Sequence, residues 1–87
     1  MISPVNGMSR DSLAILDARR LLCPLPVIRT QDAVENMQAG ECLLIQCTDH
    51  GVINDIPAWC RINGHEVVSI DEQEDEIVIK IRVGETS

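Results

Sequence analysis

Between Glu76 and Val83 the chain alternates: Ile77, Ile79, Ile81 and Val83 fall on one parity, and Val78, Lys80 and Arg82 on the other. Successive side chains of a β-strand point to opposite faces, so this pattern describes a strand with one wholly apolar face. In a chain of 87 residues that face must be buried by elements of the same small domain. One layer of helices on one sheet is the natural limit at this length. With a single Trp and neither Tyr nor Phe, the core has to be built from aliphatic side chains.

The remaining segments supply the partners. Leu13 to Asp17 is a short apolar run consistent with a first strand. Pro24 suits the start of a helix, and Val27, Val34 and Met37 recur at helical spacing before Gly40 ends the pattern. Glu41 to Cys47, with Leu43, Leu44 and Ile45, reads as a second strand broken by Thr48-Asp49-His50-Gly51. A second helix is expected from about Asn54 to Asn63, capped by Asn54 or Asp55, with Pro57 confined to its first turn. Ile56, Trp59 and Cys60 share its inner face, and Gly64 stops it. Glu66 to Asp71 is a third strand, and the acidic run Asp71 to Glu76 reads as a solvated turn leading into the fourth.

The predicted order is βαβαββ. Parallel neighbours need helical crossovers, whereas the last two strands can form a hairpin. The expected fold is an α/β (α+β) two-layer sandwich, a mixed four-stranded sheet with two helices on one face. Ala14, Leu16, Leu44 and Val78 are assigned to its open face. Residues 1–11, rich in Ser, Pro, Asn and Gly, read as a flexible tail, and residues 12–87 as one domain.

Fourteen acidic against seven basic side chains give a net charge of −7. Such a surface repels phosphate backbones, and a single Trp with neither Tyr nor Phe offers no set of base-stacking platforms. Direct nucleic-acid binding is therefore not expected. No signal-peptide core or membrane-length apolar stretch is present, which makes the cytoplasm the expected compartment. There the four cysteines should stay reduced unless they are redox-active or hold metal.

Cys23 is the candidate nucleophile. It precedes a helix start, where free N–H groups and the helix dipole favour a thiolate. Pro24 and Pro26 fix the backbone around it, and Arg19 and Arg20 are candidates for thiolate stabilisation or partner docking. Cys42 and Cys47, five apart on one strand, face opposite sides of the sheet, and Cys60 packs inward beside Trp59. The absence of Cys-x-x-Cys argues against a dithiol redox pair or a zinc knuckle, and no metal is expected. His50 and His65 read as loop residues, His50 being the better functional candidate of the two.

Leu16-Asp17-Ala18-Arg19-Arg20-Leu21-Leu22-Cys23-Pro24-Leu25-Pro26 resembles the N-terminal signature of the TusA, or SirA-like, family of sulfur carriers. The resemblance continues through Gly40-Glu41, Thr48-Asp49, Asp55-Ile56-Pro57, Trp59-Cys60 and Gly64-His65. It implies the same βαβαββ sandwich. It also implies that Cys23 takes sulfane sulfur as a persulfide from a cysteine desulfurase or rhodanese-like donor and relays it to an acceptor sulfurtransferase protein. Relatives feed tRNA thiolation, molybdenum cofactor enzymes or sulfur oxidation. No cofactor beyond the covalent sulfur is implied, and a monomer suffices. Arg20 departs from the pattern, since many relatives carry Gly there; a required positive φ would strain it. The competing readings are a regulatory interaction module of the same fold and a thiol redox sensor, the latter in need of a resolving cysteine.

Overall fold

A computed structural model describes residues 13–84; the tail expected over residues 1–11 lies outside the described residues. The elements are β1 (Leu13–Ala18), α1 (Leu25–Val34), β2 (Cys42–Cys47), α2 (Val52–Asn63), β3 (Glu66–Glu72) and β4 (Ile77–Arg82). They form one four-stranded sheet in the order β1-β2-β4-β3. β1 runs parallel to β2, while β4 is antiparallel to both β2 and β3. The βαβαββ order and mixed sheet match the expectation from the sequence.

The alternating strand sits inside the sheet, between β2 and β3. Ile77, Ile79 and Ile81 are fully buried, as are Ile45 and Cys47 across the ladder. The helices close this face with Val52, Ile56 and Cys60 from α2 and Pro26, Thr30 and Val34 from α1. Buried Thr30 satisfies its hydroxyl by donating to the Pro26 carbonyl at 2.8 Å, so it costs the core no unpaired polar atom.

Three local expectations need correction. Register places Ala14, Leu16 and Ala18 level with Leu43, Ile45 and Cys47, on the helix side of the sheet. Ala14 and Leu16 therefore do not belong to the open face; Leu13 and Ile15 do, with Ile15 64% exposed. The run Leu-Ala-Ile-Leu is apolar on both parities, so only pairing with β2 decides which way it points.

The second helix starts at Val52, earlier than the Asn54 or Asp55 cap predicts, and Pro57 lies inside it. Its first turn is prepared by the preceding loop: Val52 N–H donates to the Asp49 carbonyl and Ile53 N–H to that of His50. An interior proline costs a helix about 3 kcal/mol. Burial of Val52, Ile56 and Cys60 against the sheet offsets that cost.

α1 is shorter than the Pro24–Met37 pattern suggests. Asn36 and Met37 donate to carbonyls three residues back, so the helix tightens into a turn after Val34. Gly64 ends α2 in the left-handed region at φ 82°. The His65 N–H then returns to the Cys60 carbonyl at 2.8 Å, closing the last turn.

Candidate functional site

The parallel β1–β2 pair carries the ends of both strands to the edge of the sheet from which α1 and α2 begin. The β1–α1 loop and the β2–α2 loop therefore meet there. Cys23 stands in the first loop, exposed, directly before α1. Pro24 takes the N-cap position, one residue before the expected first helical place, and Pro26 follows inside the first turn. The Cys23–Pro24 peptide bond is cis.

The second loop secures the first. Thr48 Oγ1 accepts the Arg20 N–H at 2.8 Å, and Asp49 Oδ2 accepts the Cys23 N–H at 2.9 Å. Asp49 Oδ1 also accepts the Gly51 N–H at 2.9 Å, so one carboxylate braces both loops. Those two N–H donors hold the Asp49 carboxyl below its ordinary range, the Cys23 N–H contributing most.

The sulfur itself meets a carboxylate. Cys23 Sγ donates to Asp55 Oδ2, in the first turns of α2, at 2.7 Å. This bond, followed by partial desolvation and the charges of Asp55 and Asp49, pushes the Cys23 thiol above its ordinary pKa. The expected help of the helix start toward a thiolate therefore meets an opposing influence here, the carboxylate of Asp55.

Neither predicted arginine is described as bonding to the sulfur. Arg19 turns back to Asp17 with a two-pronged ion pair, Nε to Oδ1 at 2.9 Å and a guanidinium N–H to Oδ2 at 3.0 Å. That pair holds the Asp17 carboxyl down at about 2. Arg20 has φ 71°, the positive value that its departure from glycine raised. Arg20, with Arg19, Asp17, Thr48, Asp75 and Glu76, lines a concavity beside the loop.

Around Cys23 the surface is apolar. Leu22 is 70% exposed, and Leu25 and Ile28 continue the exposed patch along the first turns of α1. A larger cleft of about 880 Å³ lies at the opposite end of α1, lined by Val34, Met37, Trp59 and Asn63 among others, and does not include the cysteine.

The other cysteines are placed as structure. Cys47 and Cys60 are buried, and desolvation pushes each thiol up to about 11. Cys42 is half-buried, and all four cysteines are free. His50 contacts Glu72 Oε2 at 3.0 Å and the Glu74 carbonyl at 3.4 Å, tying the β2–α2 loop to the acidic turn. His65 is buried, stacked on Trp59 at 4.9 Å, and its Nδ1 accepts the Gly84 N–H at 2.9 Å. Among the described residues no cluster of His, Cys, Asp and Glu could hold a metal ion, and no helix is long and apolar enough to cross a membrane.

Asp49 and Asp55 are the site residues that sequence reasoning missed. Both stand in segments quoted for the resemblance, Thr48-Asp49 and Asp55-Ile56-Pro57. A polar residue in the loop after a strand, in a fold whose helices start at that edge, is the signal that points to Asp49; Asp55 follows in the first turn of α2.

Comparison with known proteins bears on the fold and the family. The family model described as Sulfurtransferase TusA matches residues 14–83. The candidate sulfur carrier protein YrkI of Bacillus subtilis is 34% identical over 70 residues, spanning 80% of this chain and 93% of that protein. A candidate sulfur carrier protein of Neisseria meningitidis serogroup A is 36% identical over 67 residues, spanning 77% of this chain and 90% of the relative. The crystal structure of a SirA-like protein from Desulfitobacterium hafniense superposes with a TM-score of 0.71 at 24% identity, covering 85% of this chain and all of that one. With its βαβαββ sandwich and a family match across nearly every described residue, the chain belongs to the TusA family.

Proposed function

We propose that this protein is a sulfur carrier that accepts sulfane sulfur on Cys23 and relays it as a persulfide. The observation that carries the reading is the setting of Cys23. It is an exposed sulfur in Cys23-Pro24-Leu25-Pro26 at the start of α1, anchored through its own N–H and surrounded by exposed Leu22, Leu25 and Ile28. Sulfur handed between proteins requires access from outside and a surface for a partner; it does not require an enclosed pocket.

The Cys23 sulfur attacks the outer sulfur of a donor persulfide. A new S–S bond forms on Cys23, the donor's S–S bond breaks, and the donor cysteine leaves as a thiol carrying the proton that Cys23 gave up. No external oxidant or reductant is consumed. An acceptor cysteine repeats the exchange. The donor in this reading is a cysteine desulfurase or a rhodanese-like protein. The acceptor is a sulfurtransferase protein serving tRNA thiolation, molybdenum cofactor or sulfur oxidation. The carrier works in the cytoplasm as a monomer, with no cofactor beyond the covalent sulfur.

Intact-protein mass spectrometry after incubation with a cysteine desulfurase and cysteine tests the reading. Added mass of one or more sulfur atoms, reversed by reductant and absent from Cys23→Ala, is the expected result. Absence of added mass with desulfurase, rhodanese and polysulfide donors alike would overturn it.

A further inference from the structure

Within the apolar surface around Cys23, the sulfur itself meets a carboxylate. Asp55 accepts its proton at 2.7 Å, and Asp49 holds the same residue through its N–H at 2.9 Å. The nearby charged side chains come from three segments: Arg19 and Arg20 from the β1–α1 loop, Asp49 and His50 from the β2–α2 loop, and Asp55 from α2. Arg19 is engaged with Asp17, and His50 with Glu72. No cation is described in contact with the sulfur.

A carboxylate at hydrogen-bond distance stabilises the protonated thiol, which is a poor nucleophile compared with the thiolate. Such an arrangement delays attack by the free carrier on any electrophile, whether a persulfide, a peroxide or a small alkylating agent. It also defines what would lift the restraint: a positive charge brought to the two carboxylates.

We propose that Asp55 is a reactivity latch on Cys23, keeping the sulfur protonated in the free carrier, and that a Lys or Arg side chain of the sulfur-donor protein opens it by pairing with Asp55 and Asp49. The partner is thereby defined by its chemistry: a protein presenting a cationic side chain beside its persulfide. When that cation holds the carboxylates, the Cys23 proton passes to the departing donor sulfur as the new S–S bond forms, so atoms and charge balance within the exchange. Asp55 acts here as a positioning residue for the proton of Cys23. The latch is a property of the free protein, and only the identity of the partner rests on the carrier reading.

The latch is tested without any sulfur donor, by following iodoacetamide alkylation of Cys23 against pH with peptide mapping, in the native chain, Asp55→Asn and Asp49→Asn. In the native chain the midpoint should lie above the ordinary cysteine value of about 8.5. In Asp55→Asn it should fall, making alkylation near neutral pH faster, with a smaller fall in Asp49→Asn. A native midpoint below the ordinary value, or an unchanged midpoint in a folded Asp55→Asn, would overturn the latch. The native measurement decides even where the variant does not fold.

The partner's cation is read from the rate of desulfurase loading as salt is raised. Loading of the native chain should slow with ionic strength, and loading of the Asp49→Asn/Asp55→Asn double variant should lose most of that dependence. Equal salt dependence in both would overturn the cation. Normal latch behaviour with no persulfide from any donor would overturn the carrier reading and leave the latch standing.

Discussion

Asp49 and Cys23 are 26 positions apart in sequence, yet the Asp49 carboxylate accepts the Cys23 backbone N–H at 2.9 Å. That bond fixes where the candidate nucleophile stands, because the same carboxylate also holds Gly51 at the start of α2. The candidate site is thus made by two loops locked together, and its behaviour can be tested one contact at a time.

Asp49→Asn removes the charge from that lock. Because the Asp49 carboxyl is depressed in the folded protein, its stabilisation is present above the unfolded carboxylate value of about 3.9 and is lost as pH falls through the lower folded value. The variant should melt at a lower temperature than the native chain near neutral pH. The gap should narrow below about pH 4, where the native carboxylate is also being protonated. Thermal melts followed by circular dichroism across that range check both effects.

Arg20→Gly should stabilise the fold. Arg20 holds φ 71°, a conformation that L side chains adopt at a cost, while its N–H bond to Thr48 needs no side chain. The strain relieved, of about 1–2 kcal/mol, is partly offset by the greater freedom glycine has in the unfolded chain. A net gain of about 0.5–1 kcal/mol is expected in urea unfolding. A loss of stability would show that the Arg20 side chain makes a compensating contact.

His65 predicts a pH slope between neutrality and mild acid. Burial lowers its pKa, and its Nδ1 accepts the Gly84 N–H, which requires that nitrogen unprotonated. A depressed folded value means the folded state binds fewer protons, so this contribution is intact above about pH 6.5 and is lost as pH falls through the folded value. The melting temperature should therefore drop between about pH 7 and pH 5. In His65→Gln, whose amide oxygen can still accept the Gly84 N–H, that part of the drop should vanish.

Gly84→Ala should be among the most damaging single-methyl additions to this protein. A Cβ at this position falls 1.8 Å from the Gly64 carbonyl oxygen, so backbone has to move. The segment it would displace closes α2 and receives His65. A loss of about 2 kcal/mol or more is expected, or a fall of at least about 8 °C in melting temperature for a domain of this size. Gly40→Ala, with φ 95° but nothing near the added methyl, should cost only its backbone strain of about 1–2 kcal/mol.

Much of the fold was legible because its signals are local. The β4 alternation, the helix start at Cys23-Pro24 and the stop at Gly64 each depend on a handful of neighbouring residues; the first and last stand as the sequence reads, and the helix start is shifted by one residue. Where a segment is apolar on both parities, as in Leu13 to Leu16, sequence carries no preference of face. The decision passes to the pairing of Leu16 with Ile45. Likewise the early start of α2 came from loop carbonyls at Asp49 and His50, which no propensity of Asn54 or Asp55 foretells.

Which atom is the candidate nucleophile can be read from the amino-acid string, since a cysteine before a helix start is a local arrangement and the Cys-Pro-x-Pro element is contiguous. The surroundings that act on that atom come from the fold. The thiol's acidity is set by charges within a few ångströms, and those belong to Asp55 and Asp49, brought from 32 and 26 residues away by the parallel pairing of β1 with β2. Electrostatic neighbours act through space, so an amino-acid string can name the sulfur while the fold selects the carboxylates that hold its proton.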